Sequence, residues 1–205
     1  MNTKTIVVLG GSFNPPTKAH IELLKSTVEQ LDATLGLFVP ASNRYVEKKM
    51  SRQKQDSYLY SEKTRYDMLK AICKDYDRLN VDTCEYGDDG KGHTYDTLCK
   101  IQKRFPGYKI IFIVGADKVH QLPRWHHGKE FLNQFEFAVT HRNGIDIERI
   151  ISNDKALAQH RTSFHEITLK EDVSDVSSTM VRHYVITHQN DKLKDMLHPS
   201  TLQFL

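Results

Sequence analysis

The stretch TIVVLGGSFNPPTKAH, residues 5–20, decides the fold. Its first five residues are each apolar, β-branched or both, which predicts a buried strand over residues 5–9. Two glycines then permit a tight turn and two prolines stiffen the path, and a helix is predicted to begin near Thr17. A strand that passes through a glycine turn into a helix indicates an α/β protein.

The rest of the chain repeats this alternation of strand and helix patterns. Apolar residues recur at helical spacing from Ile21 to Leu31 and again from Tyr66 to Tyr76. We therefore expect a single domain with a doubly wound parallel sheet and helices on both of its faces. The predicted strands are residues 5–9, 35–39, 109–114, 136–140 and 164–169, with a weaker one at 79–84.

Composition excludes several classes of protein. With 39% hydrophobic residues among 205, the chain can bury one core of ordinary size, which rules out wholesale disorder. The longest apolar runs are about five residues, against ~20 for a membrane span. The apolar run near the N-terminus is too short for a signal peptide, so we expect a cytoplasmic protein that does not bind membranes.

Charge and cysteine content indicate which ligands and which kinds of structural site are compatible with the sequence. The net charge of +3 is too small and too scattered for a nucleic-acid-binding stripe, whereas phosphorylated small molecules remain suitable ligands. The three cysteines, Cys73, Cys84 and Cys99, form no CxxC pair, so neither a disulfide framework nor a zinc site is expected. The 11 histidines show no metal-binding spacing either.

Residues 42–61, SNRYVEKKMSRQKQDSYLYS, are polar and basic and follow a predicted strand. This composition predicts a long exposed loop, and loops at that edge of a parallel sheet often cover a ligand.

The turn after the first strand is a candidate phosphate site. A helix that starts there points backbone N–H groups at the edge of the sheet where α/β proteins bind ligands. Thr17 and His20 lie three residues apart, so they share one face of the first helical turn. The imidazole could donate a hydrogen bond or carry a positive charge. An ordinary glycine turn with a surface histidine explains the same spacing equally well.

A second candidate anion site lies at SDVSSTMVRHYV, residues 174–185. Ser177, Ser178 and Thr179 precede a predicted helix, and Arg182 adds a planar cation three residues later. Simple N-capping by a serine is the alternative interpretation and, from this segment alone, the better one.

Together these segments resemble the signatures of a known family. GSFNPPTKAH (11–20) and SSTMVR (177–182) are similar to the two motifs of the nucleotidylyltransferase superfamily. VGADKVHQLPRWHH (114–127) and HTYDTL (93–98) look like segments of the nicotinate/nicotinamide mononucleotide adenylyltransferases. The resemblance implies a Rossmann-like sheet and an enzyme of NAD biosynthesis, which joins ATP to a pyridine mononucleotide and releases pyrophosphate.

The resemblance also implies roles for individual residues. His20, Thr17 and Arg182 would be catalytic, and Trp125 would stack on the pyridine ring. The ATP-binding residues would be Gly10, Gly11, Ser12, Phe13, Thr17, His20, Gly115, Asp117, Ser178, Thr179 and Arg182; the mononucleotide-binding residues would be Ser12, Phe13, Lys49, Thr94, Trp125 and His126.

Mg²⁺ is the expected cofactor, bound through ATP phosphates, with no metal ligands from the protein. Thr17 and Ala19 match the nicotinamide-type form of the first motif, whereas HTYDTL and LPRWH favour nicotinate, so the substrate stays open with nicotinate preferred. The oligomeric state is also open. One alternative is a related nucleotidylyltransferase acting on another phosphorylated acceptor, such as phosphopantetheine, which the Trp125 segment disfavours. The other is a catalytically inactive nucleotide-binding regulator, which intact Thr17, His20 and Arg182 disfavour.

Overall fold

A computed structural model describes residues 4–52, 58–87, 92–140, 145–169, 173 and 176–205. Six strands form one sheet in the order β3-β2-β1-β4-β5-β6, and every neighbouring pair is parallel. The strands are β1 (Thr5–Gly11), β2 (Leu35–Pro40), β3 (Leu79–Val81), β4 (Lys109–Gly115), β5 (Glu136–Thr140) and β6 (Phe164–Ile167).

Helices connect the strands, as the alternating pattern predicted. The α-helices are α1 (Lys18–Gln30), α2 (Asn43–Arg52), α3 (Glu62–Cys73), α4 (Thr94–Arg104), α5 (Ala116–Val119), α6 (Gly128–Gln134), α7 (Ile147–Ser152), α8 (Lys155–Ala158), α9 (Ser178–Ile186) and α10 (Leu193–Met196). Short 3₁₀ turns lie at Leu122–Arg124, Arg161–Ser163, Asn190–Lys192 and Pro199–Phe204.

Alternate residues of β1 face opposite sides of the sheet, as strand geometry requires. Ile6 and Val8 belong to a core with α4 and α6, whereas Val7 and Leu9 belong to a second core with α1 and α3. Both faces of the sheet are therefore covered by helices, which confirms the predicted doubly wound, Rossmann-like α/β fold.

The connections run outward in opposite directions from the centre of the sheet. From β1 the chain proceeds to β2 and β3 on one side, and from β4 it proceeds to β5 and β6 on the other. The carboxyl ends of the adjacent β1 and β4, at Gly11 and Gly115, thus flank the point where the strand order reverses. Open α/β sheets bind their ligands at this position.

Two strands end earlier than predicted because side chains capture their backbone groups. After β6, the Gln30 side chain accepts a hydrogen bond from the Thr168 N–H (3.2 Å) and donates one to the Thr168 carbonyl (2.6 Å). After β3, a carboxylate oxygen of Asp82 accepts the N–H of Cys84 (2.9 Å), which turns the chain away from the sheet.

The prediction of a loop over residues 42–61 is wrong for its first half. Residues Asn43–Arg52 form helix α2, of which only Val46 is buried. Its residues are strongly polar on average, which is typical of an exposed loop, although Val46 and Met50 lie one turn apart on the same face of the helix. Residues 53–57 lie outside the described part of the chain, and residues 58–60 have no regular secondary structure.

No helix among the described residues combines the length and the apolar character needed to cross a membrane.

Gly36 in β2 provides a test of the packing between α1 and the sheet. A Cβ atom there would lie 2.7 Å from Val28 Cγ2 and 2.8 Å from Leu79 Cδ2. We expect Gly36→Ala to lower the free energy of unfolding by about 1–3 kcal/mol, measured by urea denaturation. Gly92→Ala is the control, because its Cβ would meet only Glu85 at 3.5 Å. Equal stability of the two variants would contradict this account of the packing.

Candidate active site

An open cleft with a volume of about 270 Å³ lies at the carboxyl end of β1. It is bordered by the turn after β1, one face of α2 and the first turns of α1 and α9. Its lining residues are Gly10, Gly11, Ser12, Phe13, Asn14, His20, Val46, Lys49, Met50, Ser178, Thr179 and Arg182. The fold thus brings together most of the predicted phosphate-binding residues, although they are separated by about 170 positions in the sequence.

The turn after β1 is held in an unusual backbone conformation. Phe13 has a φ of 44°, in the left-handed region that non-glycine residues rarely adopt. Its ring is buried against Phe38, and a Cβ atom at Gly11 would lie 3.1–3.4 Å from the Phe13 ring. Gly11 is therefore needed so that the Phe13 ring can fold back beneath the turn.

Thr17 and His20 meet as their spacing predicted, with Thr17 as the N-cap of α1. His20 Nδ1 lies 3.1 Å from the Thr17 backbone nitrogen and 2.8 Å from the Thr17 hydroxyl oxygen. Because a backbone N–H can only donate, Nδ1 acts as the acceptor, and the neutral ring carries its proton on Nε2. Of the two roles that the sequence left open, this geometry favours a neutral hydrogen-bond donor.

Arg182 lies on α9 and is 5% exposed. Its Nη1 donates to the Asn14 carbonyl (2.7 Å) and its Nη2 donates to the Thr179 hydroxyl (3.2 Å). Burial lowers the pKa of the Arg182 guanidinium, and nearby Tyr60 partly offsets this effect. Arg182 therefore supports the turn as well as bordering the cleft.

At the start of α9 the serine cluster both caps the helix and borders the cleft. Ser177 is the N-cap, and its hydroxyl accepts the Met180 N–H at 3.3 Å. Ser178 and Thr179 lie inside the helix rather than before it, and both line the cleft. The Ser178 hydroxyl donates to the Pro15 carbonyl at 2.8 Å, which docks α9 on the turn.

Lys49 reaches the cleft from α2, one turn beyond the buried Val46. Its Nζ lies 3.5 Å from the Ser12 hydroxyl. Partial burial of the amino group and the charge of Arg182 hold the pKa of Lys49 below its usual value. The two cationic side chains border the same cleft, and this arrangement favours binding of an anion between them.

Two buried polar residues near the cleft were missed by the sequence analysis. The Asn14 side chain accepts the Tyr60 N–H (2.9 Å) and donates to the Tyr58 carbonyl (3.1 Å), which ties the chain after α2 to the turn. Arg65 of α3 is fully buried directly behind Ser12. The sequence does contain a sign of this burial, because Arg65 lies on the same helical stripe as the apolar residues Met68, Leu69 and Ile72.

Several predicted nucleotide-binding residues do not line this cleft. Gly115 and Asp117 lie at the neighbouring carboxyl end of β4, where a Cβ atom at Gly115 would lie 2.7 Å from Asp117 Oδ1. Asp117 is exposed and pairs with Lys118 at 3.0 Å. These two residues border the same edge of the sheet, next to β1.

The predicted pyridine-binding residues form a separate group around the start of α4. Trp125 is half-buried, with its ring stacked on Phe131 at a centroid distance of 5.9 Å. His126 stacks on His93 at 4.1 Å, and its Nε2 lies 3.7 Å from an Asp96 carboxylate oxygen. Thr94, the first residue of α4, is partly exposed.

Comparison with known proteins shows which family the chain belongs to. The model of the cytidylyltransferase-like family matches residues 8–184. The chain belongs to the cytidylyltransferase-like family. The prediction of a nucleotidyltransferase from the two motifs is thereby confirmed.

Two curated relatives of this chain carry the same name. A probable nicotinate-nucleotide adenylyltransferase of Streptococcus pyogenes is 30% identical over 185 residues, which cover 90% of this chain and 78% of that protein. The protein of the same name in Streptococcus mutans is 29% identical over 205 residues, or 100% of this chain and 87% of the relative. The resemblance to nicotinate/nicotinamide mononucleotide adenylyltransferases is therefore confirmed.

Solved structures agree on the fold. The nicotinic acid mononucleotide adenylyltransferase of Plasmodium falciparum, complexed with NaAD, superposes with a TM-score of 0.71 at 19% identity. The alignment covers 98% of this chain and 94% of that one.

The contacts of Arg182 predict a double effect on substitution. Arg182→Ala leaves the buried Asn14 carbonyl without this donor, so we expect the free energy of unfolding to fall by about 1–3 kcal/mol. Loss of the cation from the cleft should also weaken ATP binding at least tenfold. Urea denaturation and calorimetric titration measure the two effects. Arg161→Ala, which removes only a surface pair with Glu148, is the control; unchanged stability and affinity in Arg182→Ala would contradict the assignment.

Proposed function

We propose that this protein transfers the adenylyl group of ATP to nicotinate mononucleotide, with release of pyrophosphate. The observation that carries the proposal is the basic cleft at the reversal point of the sheet, where Lys49, Arg182, His20 and the first turns of two helices converge. The names of the curated relatives support the choice of this reaction and of nicotinate over nicotinamide.

The reaction requires charge neutralisation and alignment rather than a protein nucleophile. An oxygen of the mononucleotide 5′-phosphate attacks the α-phosphorus of ATP, and the bond from that phosphorus to the bridging oxygen of the β-phosphate breaks. The electron pair leaves with pyrophosphate. Two anionic reactants repel each other, so cations and preorganised donors lower the barrier. No covalent enzyme intermediate is needed.

The proposed roles follow from what each side chain can donate. The Nε2–H of His20 stabilises the charge that develops on the ATP phosphates, while Thr17 fixes the ring orientation through Nδ1. Arg182, with Ser178 and Thr179, binds the phosphates that become pyrophosphate. Lys49 lies on the opposite wall beside Ser12 and attracts the mononucleotide phosphate.

Residues outside the cleft complete the proposed site. The cleft volume of about 270 Å³ is below the ~300–1,000 Å³ of typical ligand pockets. The adenine and the pyridine ring must therefore contact protein surface beyond this cleft. Gly115 and Asp117, at the end of the neighbouring strand, are proposed to bind the ATP ribose. Thr94, Trp125 and His126 are proposed to bind the pyridine ring, where the free face of an aromatic ring suits a cationic heterocycle.

The side chains that line the cleft are compatible with a magnesium ion that is bound by the phosphates of the nucleotide. The described residues that line the cleft are neutral or basic and offer no carboxylate ligand, and no cluster of metal-binding side chains occurs among the described residues. Mg²⁺ keeps several waters and favours phosphate oxygens, so ATP itself would hold it. When bound, it would withdraw charge from the phosphates. We place the reaction in the cytoplasm, with small-molecule partners.

Pyrophosphate release tests the proposed function. We expect release from Mg·ATP with nicotinate mononucleotide, and slower release with nicotinamide mononucleotide. His20→Ala should lower kcat by about 10²–10⁴-fold, because it removes a donor that acts on transition-state charge. Its circular dichroism should match the wild type.

Two outcomes would contradict these assignments. Near-normal turnover by folded His20→Ala would remove His20 from the catalytic role. ATP binding without turnover of either pyridine mononucleotide would overturn the proposed function, and phosphopantetheine would then be tested as acceptor. His160→Ala, at a residue that does not line the cleft, is the matched histidine control.

Trp125 offers a test of the second half of the site. Trp125→Ala should raise the KM for nicotinate mononucleotide at least tenfold and leave the KM for ATP within twofold, because only the pyridine ring would lose its stacking partner. Trp125→Phe keeps an aromatic face and the contact with Phe131, and should recover most of the affinity. Equal rises in both KM values would indicate a packing defect instead.

A further inference from the structure

Arg65 occupies a position where α3 is otherwise apolar. It is 0% exposed, and the residues three, four and seven positions later, Met68, Leu69 and Ile72, are also fully buried. Residues at this spacing lie on one face of a helix, so an arginine here is carried into the core rather than to the surface.

The Arg65 guanidinium binds three separate segments of the chain. Its Nη1 donates to the Ser12 carbonyl at 2.7 Å. Its Nη2 donates to the Ala41 carbonyl at 2.6 Å and to the Asn43 side-chain oxygen at 2.8 Å. One planar group therefore joins the turn after β1, the chain directly after β2 and the first residue of α2.

Burial of this guanidinium lowers the free energy of unfolding. Among the described residues no carboxylate lies within ion-pairing distance of Arg65, and its Nε has no hydrogen-bond partner. Burial lowers the pKa of Arg65, and Tyr86 and Glu62 offset this only in part. A buried cation without a counter-ion costs free energy that an apolar residue at this position would avoid.

The contact with Ser12 fixes a peptide group of the catalytic turn. The Ser12 carbonyl and the Phe13 N–H belong to one trans peptide plane, so they point in opposite directions. While Arg65 holds the carbonyl, the N–H must point away from α3. The peptide held in this way leads directly into Phe13, whose φ of 44° is left-handed.

The contact with Asn43 fixes the opposite wall. Asn43 begins α2, and its backbone N–H also donates to a Glu62 carboxylate oxygen at 2.7 Å. Lys49, on the same helix, reaches the Ser12 hydroxyl across the cleft. The distance between Lys49 and the turn is thus set from behind by a residue that does not line the cleft.

We propose that Arg65 is a positioning residue for adenylyl transfer, which orients the Ser12–Phe13 peptide and sets the spacing between this turn and α2. It touches neither reactant. This inference rests on the proposed function, because the geometry that Arg65 fixes is the geometry required for in-line attack.

Three variants separate positioning from stability. Arg65→Met keeps the length of the side chain and removes the fork of donors, whereas Arg65→Lys keeps the charge with a single donor group. Ile72→Ala removes buried apolar contacts from the same face of α3 without touching the turn. All assays are made at a temperature where circular dichroism shows each variant folded.

We expect Arg65→Met to lower kcat about 100-fold with a KM change below fivefold, since small misplacements of reacting groups have effects of this size. Arg65→Lys should recover about tenfold. Ile72→Ala should lower Tm while kcat stays within twofold of the wild type. Wild-type kcat in Arg65→Met or in Arg65→Lys, or a kcat loss in Ile72→Ala equal to that in Arg65→Met, would overturn the proposal.

Binding of Mg·ATP keeps this test separate from the proposed function. If the wild type binds Mg·ATP but adenylylates neither pyridine mononucleotide, the proposed function fails and calorimetry decides the role of Arg65. At least fivefold weaker binding by Arg65→Met than by Ile72→Ala would then support positioning of the turn, and equal binding would overturn it. A wild type that binds no Mg·ATP overturns both proposals.

Discussion

The turn between β1 and α1 has to bury its carbonyl groups while it borders a cleft, and everything else in the site depends on this constraint. A buried carbonyl without a donor is costly, and a turn has no regular partners to supply one. Here side chains supply them: Arg65 to Ser12, Arg182 to Asn14 and Ser178 to Pro15. The shape of the turn is therefore dictated by α3 and α9, not by the turn itself.

This dependence explains why distant segments must assemble before the cleft exists. Residues 12–15 acquire their donors from positions 65, 178 and 182, which the sheet topology brings to one edge. Gly11 and the left-handed Phe13 make the turn possible, and the two arginines hold it there. Of these two guanidinium groups, only that of Arg182 also borders the cleft, where it adds positive charge beside the turn.

The sequence predicted those parts of the protein that follow a period or a short motif. Strands β1, β2, β4 and β5 were found because a fully buried parallel strand reads as a continuous apolar run. Thr17 and His20 were found because helical spacing places them together. The family resemblance predicted that the motif residues share one site, and the structure brings most of them together.

What was missed depends on contacts that leave no periodic trace. Helix α2 was predicted as a loop because its residues are mostly polar and basic, and its position is set by Asn43 contacts with Arg65 and Glu62. Arg65 itself interrupts an apolar stripe, and a charged residue in such a stripe is usually assigned to the surface. Asp117 lies in the four-residue helix α5, and Trp125 directly follows a three-residue 3₁₀ turn. Elements this short leave no helical period in the sequence.

The lengths of the outer strands have a consequence for the behaviour of the protein in solution. The sheet ends in β3 and β6, which contain three and four residues, while the central β1 and β4 contain seven each. An exposed strand edge offers unpaired backbone groups to other molecules, and brief edge strands limit that offer. The long, apolar strands, which would associate most readily, are enclosed on both sides. The fold thus protects itself against intermolecular strand pairing and the aggregation that follows from it.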